Sequence, residues 1–115
     1  MQRDADYLLD ILQAVKAALG FLQGKTQADF NRDLQCQFAV VRAIEIIGEA
    51  ANRVSQETCA AHPEIPWREM IAMRNRMIHD YDEVDLDIVW DTVHNDLPPL
   101  VERVEALLPH DSGSS

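Results

Sequence analysis

The sequence has few cysteines, few glycines and no long apolar run, and each shortage excludes a class of protein. Its two cysteines, Cys36 and Cys59, form no Cys-x-x-Cys motif, which argues against a disulfide or metal knot and predicts two reduced, partly buried thiols. Only four of the 115 residues are glycine, so long loops are not expected. No apolar run approaches the roughly 18 residues that span a bilayer, and the N-terminus is polar and acidic. We therefore expect a cytoplasmic protein that does not enter a membrane.

Positive charge is also scarce. Twenty acidic residues against ten basic ones give a formal net charge of −10, which excludes a surface devoted as a whole to nucleic acid or to an anionic membrane. All but two of the basic residues are arginine, the side chain suited to fixed, bidentate phosphate contacts. A small basic site remains compatible with this composition.

Apolar residues recur with the helical period along nearly the whole chain. The pattern predicts a first helix over about 4–22, and a broadly apolar central helix that follows a capping box at Thr26-x-x-Asp29. A polar stretch from Ser55 leads to a third helix, from Pro66 to about His79. A last helix follows Asp85 and is kinked or restarted at Pro98–Pro99. We predict one all-α domain over residues 1–109, a bundle of four to five helices, and a disordered tail over 110–115.

The sharpest local feature is Arg74-Asn75-Arg76-Met77-Ile78-His79-Asp80-Tyr81, with the spacing Arg-x4-His-x-Tyr. Arg74 falls on the apolar stripe of the third helix, an unusual place for a charge unless an interface or a ligand meets it. Five residues at about 100° each would put Arg74 and His79 about 140° apart on an ideal helix. Either the helix ends before His79, or two copies of the motif face each other across a two-fold axis.

This motif resembles the signature of the HEPN superfamily of small helical bundles. Four further segments are similar to its HepT-like branch, and the resemblance spans about residues 3–108: Ile46–Ala50, Pro63–Trp67, Asp85–Trp90 and Asn95–Leu100. The resemblance implies a metal-independent ribonuclease without a cofactor, a toxin usually encoded beside a minimal nucleotidyltransferase antitoxin. It also implies a homodimer with the active site in the cleft between protomers.

The residue types fit RNA cleavage without a metal ion. Attack of a 2′-hydroxyl on the adjacent phosphorus needs a base, an acid and positive charge for the transition state. His79 can act as base or acid near neutral pH, Arg74 can clamp the phosphate, and Asn75 can orient His79 or donate to a substrate oxygen. One chain supplies a single motif histidine, so a dimer would supply both proton-transfer partners. The three other histidines have no metal-ligand spacing, and we predict no metal site: His62, His94 and His110.

Other residues near the motif have two interpretations. Tyr81 is either a ring that closes the dimer cleft or, as the resemblance implies, the residue to which the antitoxin transfers AMP, so that added phosphate keeps RNA out. On the central helix, Arg42 and Glu45 are spaced for a structural ion pair, and Glu49 can reach Arg74 as support.

The favoured interpretation is a dimeric, HepT-like endoribonuclease toxin whose protomers meet through the third helix and the region of Trp90. The alternative is a non-catalytic HEPN partner that binds a nucleotidyltransferase, which the acidic composition favours because net negative charge repels RNA. Composition alone also allows an unrelated helical interaction domain. RNA cleavage separates the first two interpretations.

Overall fold

The computed structural model describes residues 2–78 and 83–108, and in these ranges all regular structure is helical apart from one isolated bridge. The helix α1 packs along α3, α3 packs along α5, and α7 returns to α1. This arrangement confirms the all-α bundle. The bounds of the helices are α1 Gln2–Leu22, α2 Gln27–Arg32, α3 Leu34–Arg53, α4 Gln56–Ala61, α5 Trp67–Met77, α6 Leu86–Asp91 and α7 Pro98–Glu105, with a π-helical turn at Thr92–Asp96 between α6 and α7.

Helix α3 is the central element, as its broad apolar circumference predicts. Val40, Ile44 and Ile47 are completely buried between α1 and α5. A Cβ atom on Gly48 would lie 3.2 Å from the carbonyl oxygen of Met70 on α5. Since real Cβ contacts are rarely that short, the missing side chain lets α3 and α5 approach closely.

Local capping divides the chain where periodicity alone does not. The predicted capping box of Thr26 and Asp29 is present at the start of α2. The Asp33 side chain then accepts a hydrogen bond from the Cys36 amide, so that α2 ends and α3 begins at this residue. The sequence predicted one continuous helical stretch here, and it also missed α4, whose N-cap is Ser55.

The restart predicted at the two prolines is confirmed. Pro98 is the first residue of α7 and has no amide hydrogen to continue the preceding helical ladder. Just before it, the Leu97 amide donates to the carbonyl of Thr92, five residues earlier, at 3.1 Å. This widened turn absorbs the interruption and lets α7 fold back onto α1.

A cavity of about 600 Å³ lies where the end of α1 meets the π-helical turn and α7. Both lysines of the chain line it. Lys16 pairs with Glu105 at 3.1 Å, and Lys25 pairs with Asp33 at 3.4 Å. Each lysine charge is therefore already balanced at the edge of this cavity.

Both cysteines are free thiols, with Cys36 buried and Cys59 half-buried, and burial raises the pKa of each. In the described ranges no helix is both long enough and apolar enough to cross a membrane.

A buried carboxylate fastens the start of α1 to the start of α4. Asp4 accepts hydrogen bonds from the Ser55 amide at 3.0 Å, the Ser55 hydroxyl at 2.6 Å and the Thr58 hydroxyl at 2.6 Å. The side-chain hydrogen bond from Ser55, followed by that from Thr58, holds the pKa of Asp4 below its ordinary value. The ionised form is therefore the one that the folded state prefers.

We expect Asp4→Asn to lower the free energy of unfolding at pH 7 by about 1–3 kcal/mol, because an amide cannot accept from all three donors. Because folding lowers the pKa of Asp4, its contribution is complete above the unfolded value, about 3.9, and is lost as pH falls through the lower folded value. Urea unfolding at pH 7 and at steps below pH 4 should show the two proteins converging. Asp6→Asn, the same change at an exposed position of α1, is the control. Equal losses in the two variants would contradict the assignment.

Candidate functional site

Helix α5 ends before the motif histidine, the first of the two alternatives that the spacing left open. Its last residue is Met77, and Ile78 is extended, with φ −107° and ψ 123°. Ile78 forms an antiparallel bridge with Val84, and the Asp85 amide donates to the Met77 carbonyl at 2.7 Å. The separation of about 140° assumed a helix that continues through position 79, whereas α5 ends at Met77. The predicted residues His79 and Tyr81 lie outside the described ranges.

Arg74 lies in the last turn of α5, and its side chain is 52% exposed rather than buried on the apolar stripe. Its Nε–H donates to Oε2 of Glu45 on α3 at 3.1 Å. The structure brings it together with two other predicted residues, Asn75 and Glu49. All three line a shallow cavity of about 230 Å³, whose full lining is Glu45, Gly48, Glu49, Asn52, Ile71, Arg74 and Asn75.

The acidic partner of Arg74 differs from the one that the sequence suggested. The predicted pair of Arg42 and Glu45 is confirmed, at 3.5 Å. Glu49, however, pairs with Arg42 at 3.3 Å, and Glu45 makes the contact with Arg74 that the sequence allowed for Glu49.

The register of α3 against α5 explains why Arg74 pairs with Glu45 rather than with Glu49. Gly48 of α3 lies against Met70 and Ile71 of α5, and Glu45 lies against Arg74. Residue numbers thus rise along one helix as they fall along the other, so the helices are antiparallel. Arg74 lies one turn after Met70 on α5. It therefore contacts Glu45, which lies one turn before Gly48 on α3, and not Glu49, which follows Gly48. This contact joins residues 29 positions apart, and no local spacing rule could have shown it.

The two most exposed large apolar side chains of the described residues lie on α3 rather than around Trp90. Trp90 packs within its own chain, with its ring 6.0 Å from that of Phe30 and 4.1 Å from that of His94. Leu34 and Phe38, one turn apart on α3, are instead 61% and 67% exposed. Phe38 borders a cavity of about 300 Å³ lined by Gln37, Phe38, Val41, Arg42, Glu45, Ile78, Val84 and Leu86.

In the described part of the chain, no three His, Cys, Asp or Glu side chains are grouped to hold a metal ion. Two of the histidines, His62 and His94, each lie near an oxygen atom of the protein. His62 lies 3.4 Å from a carboxylate oxygen of Glu64, and Nδ1 of His94 lies 2.8 Å from the Trp90 carbonyl.

Comparison with known proteins gives a family match along most of the chain. The profile of the family described as "Ribonuclease HepT-like" matches residues 11–107. A Thermococcus cleftensis protein named "Probable ribonuclease HepT" is 45% identical over 102 residues, which cover 89% of this chain and 93% of that protein. A protein of Caldanaerobacter subterraneus, named as a candidate RNase, is 34% identical over 108 residues, covering 94% and 96%. Another candidate RNase, from Methanocaldococcus jannaschii, is 32% identical over 107 residues, covering 93% and 88%. No solved structure gives a match.

Proposed function

The chain belongs to the HepT-like ribonuclease family, and on this premise we propose that it is a metal-independent endoribonuclease toxin of a two-gene toxin–antitoxin module. The observation that carries the proposal is the state of Arg74. Its guanidinium is fixed at one edge by Glu45, half exposed to solvent, and set in the last turn of α5 just before His79. A fixed and accessible cation five positions before a histidine, the side-chain type most used for proton transfer near neutral pH, suits phosphate chemistry.

The proposed reaction is a transphosphorylation of RNA. The 2′-hydroxyl oxygen attacks the adjacent phosphorus, an O2′–P bond forms, and the P–O5′ bond breaks. One His79 takes the proton of the 2′-hydroxyl, and a second acid gives a proton to the departing 5′-oxygen. Arg74 binds the phosphate oxygens and stabilises the charge that builds on them, and Asn75 borders the same cavity. The products are a 2′,3′-cyclic phosphate end and a 5′-hydroxyl end.

The second acid comes from a second copy of the chain in this proposal, because each chain has one motif histidine. The exposed face of Leu34 and Phe38 is the surface on which the copies meet. Phe38 borders the same cavity as Ile78, the residue that precedes His79. In a two-fold contact through Phe38, Ile78 of each protomer therefore borders the interface.

A minimal nucleotidyltransferase antitoxin neutralises the enzyme in this proposal by transferring AMP to Tyr81. The phenol oxygen attacks the α-phosphorus of ATP, and pyrophosphate leaves. The added phosphodiester carries negative charge two positions beyond His79 and seven positions beyond Arg74 in the sequence. The added phosphate can bind the guanidinium of Arg74 in place of an RNA phosphate.

Purified protein tests the proposal in one experiment with two arms. Without treatment, the chain should cut RNA in the presence of EDTA and leave 2′,3′-cyclic phosphate ends. After incubation with ATP and the cognate nucleotidyltransferase, it should carry AMP on Tyr81 and no longer cut. Tyr81→Phe is the control, because it keeps the histidine and arginine and should escape neutralisation. Cleavage that requires a metal ion, or that leaves 3′-hydroxyl ends, would show a different reaction.

A non-catalytic partner of a nucleotidyltransferase is the second candidate function. The observation that favours it is the charge around the site, where Arg42 and Arg74 are paired with two carboxylates. That cluster has no net positive charge, and the chain as a whole carries −10. A stable complex with the nucleotidyltransferase without any RNA cleavage by the free chain would establish this function instead.

A further inference from the structure

We propose that Glu45 is a positioning residue, which orients Arg74 toward the RNA phosphate, and that the neighbouring Glu49 has no such role. The inference rests on the proposed nuclease function. It is carried by the different contacts of two carboxylates one turn apart on the same helix.

The first step is the close approach of α3 and α5. The absence of a side chain at Gly48 brings its backbone against Met70 and Ile71. Glu45, one turn before Gly48, can therefore reach Arg74, one turn after Met70, with its carboxylate. The helix crossing thus determines that Glu45, and not Glu49, pairs with Arg74.

The second step is the geometry of the guanidinium. Glu45 accepts from Nε–H of Arg74 at 3.1 Å, and within the described part of the chain no other side chain is paired with this arginine. A guanidinium has five N–H donors in a planar fork, so engaging Nε–H leaves the edge formed by the two Nη atoms for bidentate binding of a phosphate. The carboxylate therefore selects the edge that Arg74 presents.

The third step is the contrast in exposure and partners. The Glu45 side chain is 24% exposed, and its two oxygens are divided between Arg42 and Arg74. The Glu49 side chain is 58% exposed and pairs only with Arg42 among the described residues. The half-buried carboxylate of Glu45 can restrict the long side chain of Arg74, whereas the exposed ion pair of Glu49 contributes little to the position of any side chain.

The two glutamates form a matched pair for the test. Glu45→Ala and Glu49→Ala remove the same charge from neighbouring turns of α3. A charge effect alone would make both variants bind RNA slightly more tightly, because each loses a repulsive carboxylate. If Glu45 positions Arg74, only Glu45→Ala loses activity. We expect kcat and kcat/KM to fall together by up to about 100-fold, since misplacing a group that acts in the transition state affects both.

Two further measurements separate positioning from a structural role. In an Arg74→Ala background, Glu45→Ala should cause no further loss in single-turnover cleavage, because its effect passes through the arginine. In ¹⁵N NMR spectra, the Nε–H signal of Arg74 should shift in Glu45→Ala and keep its position in Glu49→Ala. Thermal melting should be similar for the two variants.

Several results would overturn the proposal. Unchanged cleavage in Glu45→Ala would do so while leaving the nuclease function intact, as would equal losses in the two variants. An additional loss in the Arg74→Ala background would show that Glu45 acts by another route. If the wild-type protein cuts no RNA, the nuclease function and this inference both fail, even if the Nε–H signal of Arg74 shows its contact with Glu45.

Discussion

Replacing either His79 or Arg74 by alanine should lower the rate of RNA cleavage by about 10²–10⁴-fold, which is the usual contribution of a group that transfers a proton or stabilises charge in the transition state. Stability should change little for Arg74→Ala, because its side chain is half exposed and truncation leaves no core cavity. Cleavage of a labelled RNA at saturating enzyme, beside urea unfolding of each variant, measures both quantities.

The matched control is Arg76→Ala, two residues further along the same helix. Arg76 pairs with Asp96 at 3.6 Å and lines a cavity that excludes Arg74. It carries the same charge as Arg74, so a uniform loss of RNA attraction would affect both variants alike. If Arg76→Ala is as inactive as Arg74→Ala, overall charge rather than a specific phosphate contact accounts for the loss.

Replacing Phe38 by glutamate should convert the protein from a dimer into a monomer and abolish cleavage. An aromatic side chain at an interface centre is typically worth about 2 kcal/mol or more, and two-fold symmetry places it in the contact twice. The expected cost of about 4 kcal/mol corresponds to roughly a thousand-fold weaker dimer. Sedimentation at low micromolar concentration should give twice the chain mass for wild type and a single chain mass for the variant.

Phe21→Glu is the control for this prediction. Phe21 on α1 is 42% exposed and lines a cavity that does not include Phe38 or Ile78, so the variant makes the same chemical change outside the Phe38 cavity. It should keep the dimer mass and cut RNA at close to the wild-type rate. A wild-type monomer, or a Phe38→Glu dimer of normal activity, would contradict the shared site.

The helices were predictable from sequence where burial dominates. The apolar period of α1 and α3 is visible in the chain itself, and residues such as Ile11, Val15 and Ile44 are fully buried as the stripe requires. The start of α6 at Asp85 was also predictable, because its side chain accepts from the Ile88 amide three residues later.

The parts that sequence missed depend on distant partners. Helix α4 has six residues and a polar face, and its first turn is held by Asp4, more than fifty positions earlier in the chain. Asp33 looks like a solvated acid within a helical pattern until its side chain is seen to cap α3. In the site, the partner of Arg74 is decided by the crossing at Gly48, so the choice between Glu45 and Glu49 requires the packed helices.

The location of the lysines has a practical consequence for handling the protein. Lys16 and Lys25, the only two lysines, both border the cavity at the end of α1, which shares no lining residue with the cavity of Arg74. Dyes, biotin or a sensor surface coupled through lysine amines will therefore attach along one edge of the molecule. Single-molecule or surface-based measurements of RNA binding can use that edge for attachment while the arginine cavity stays open.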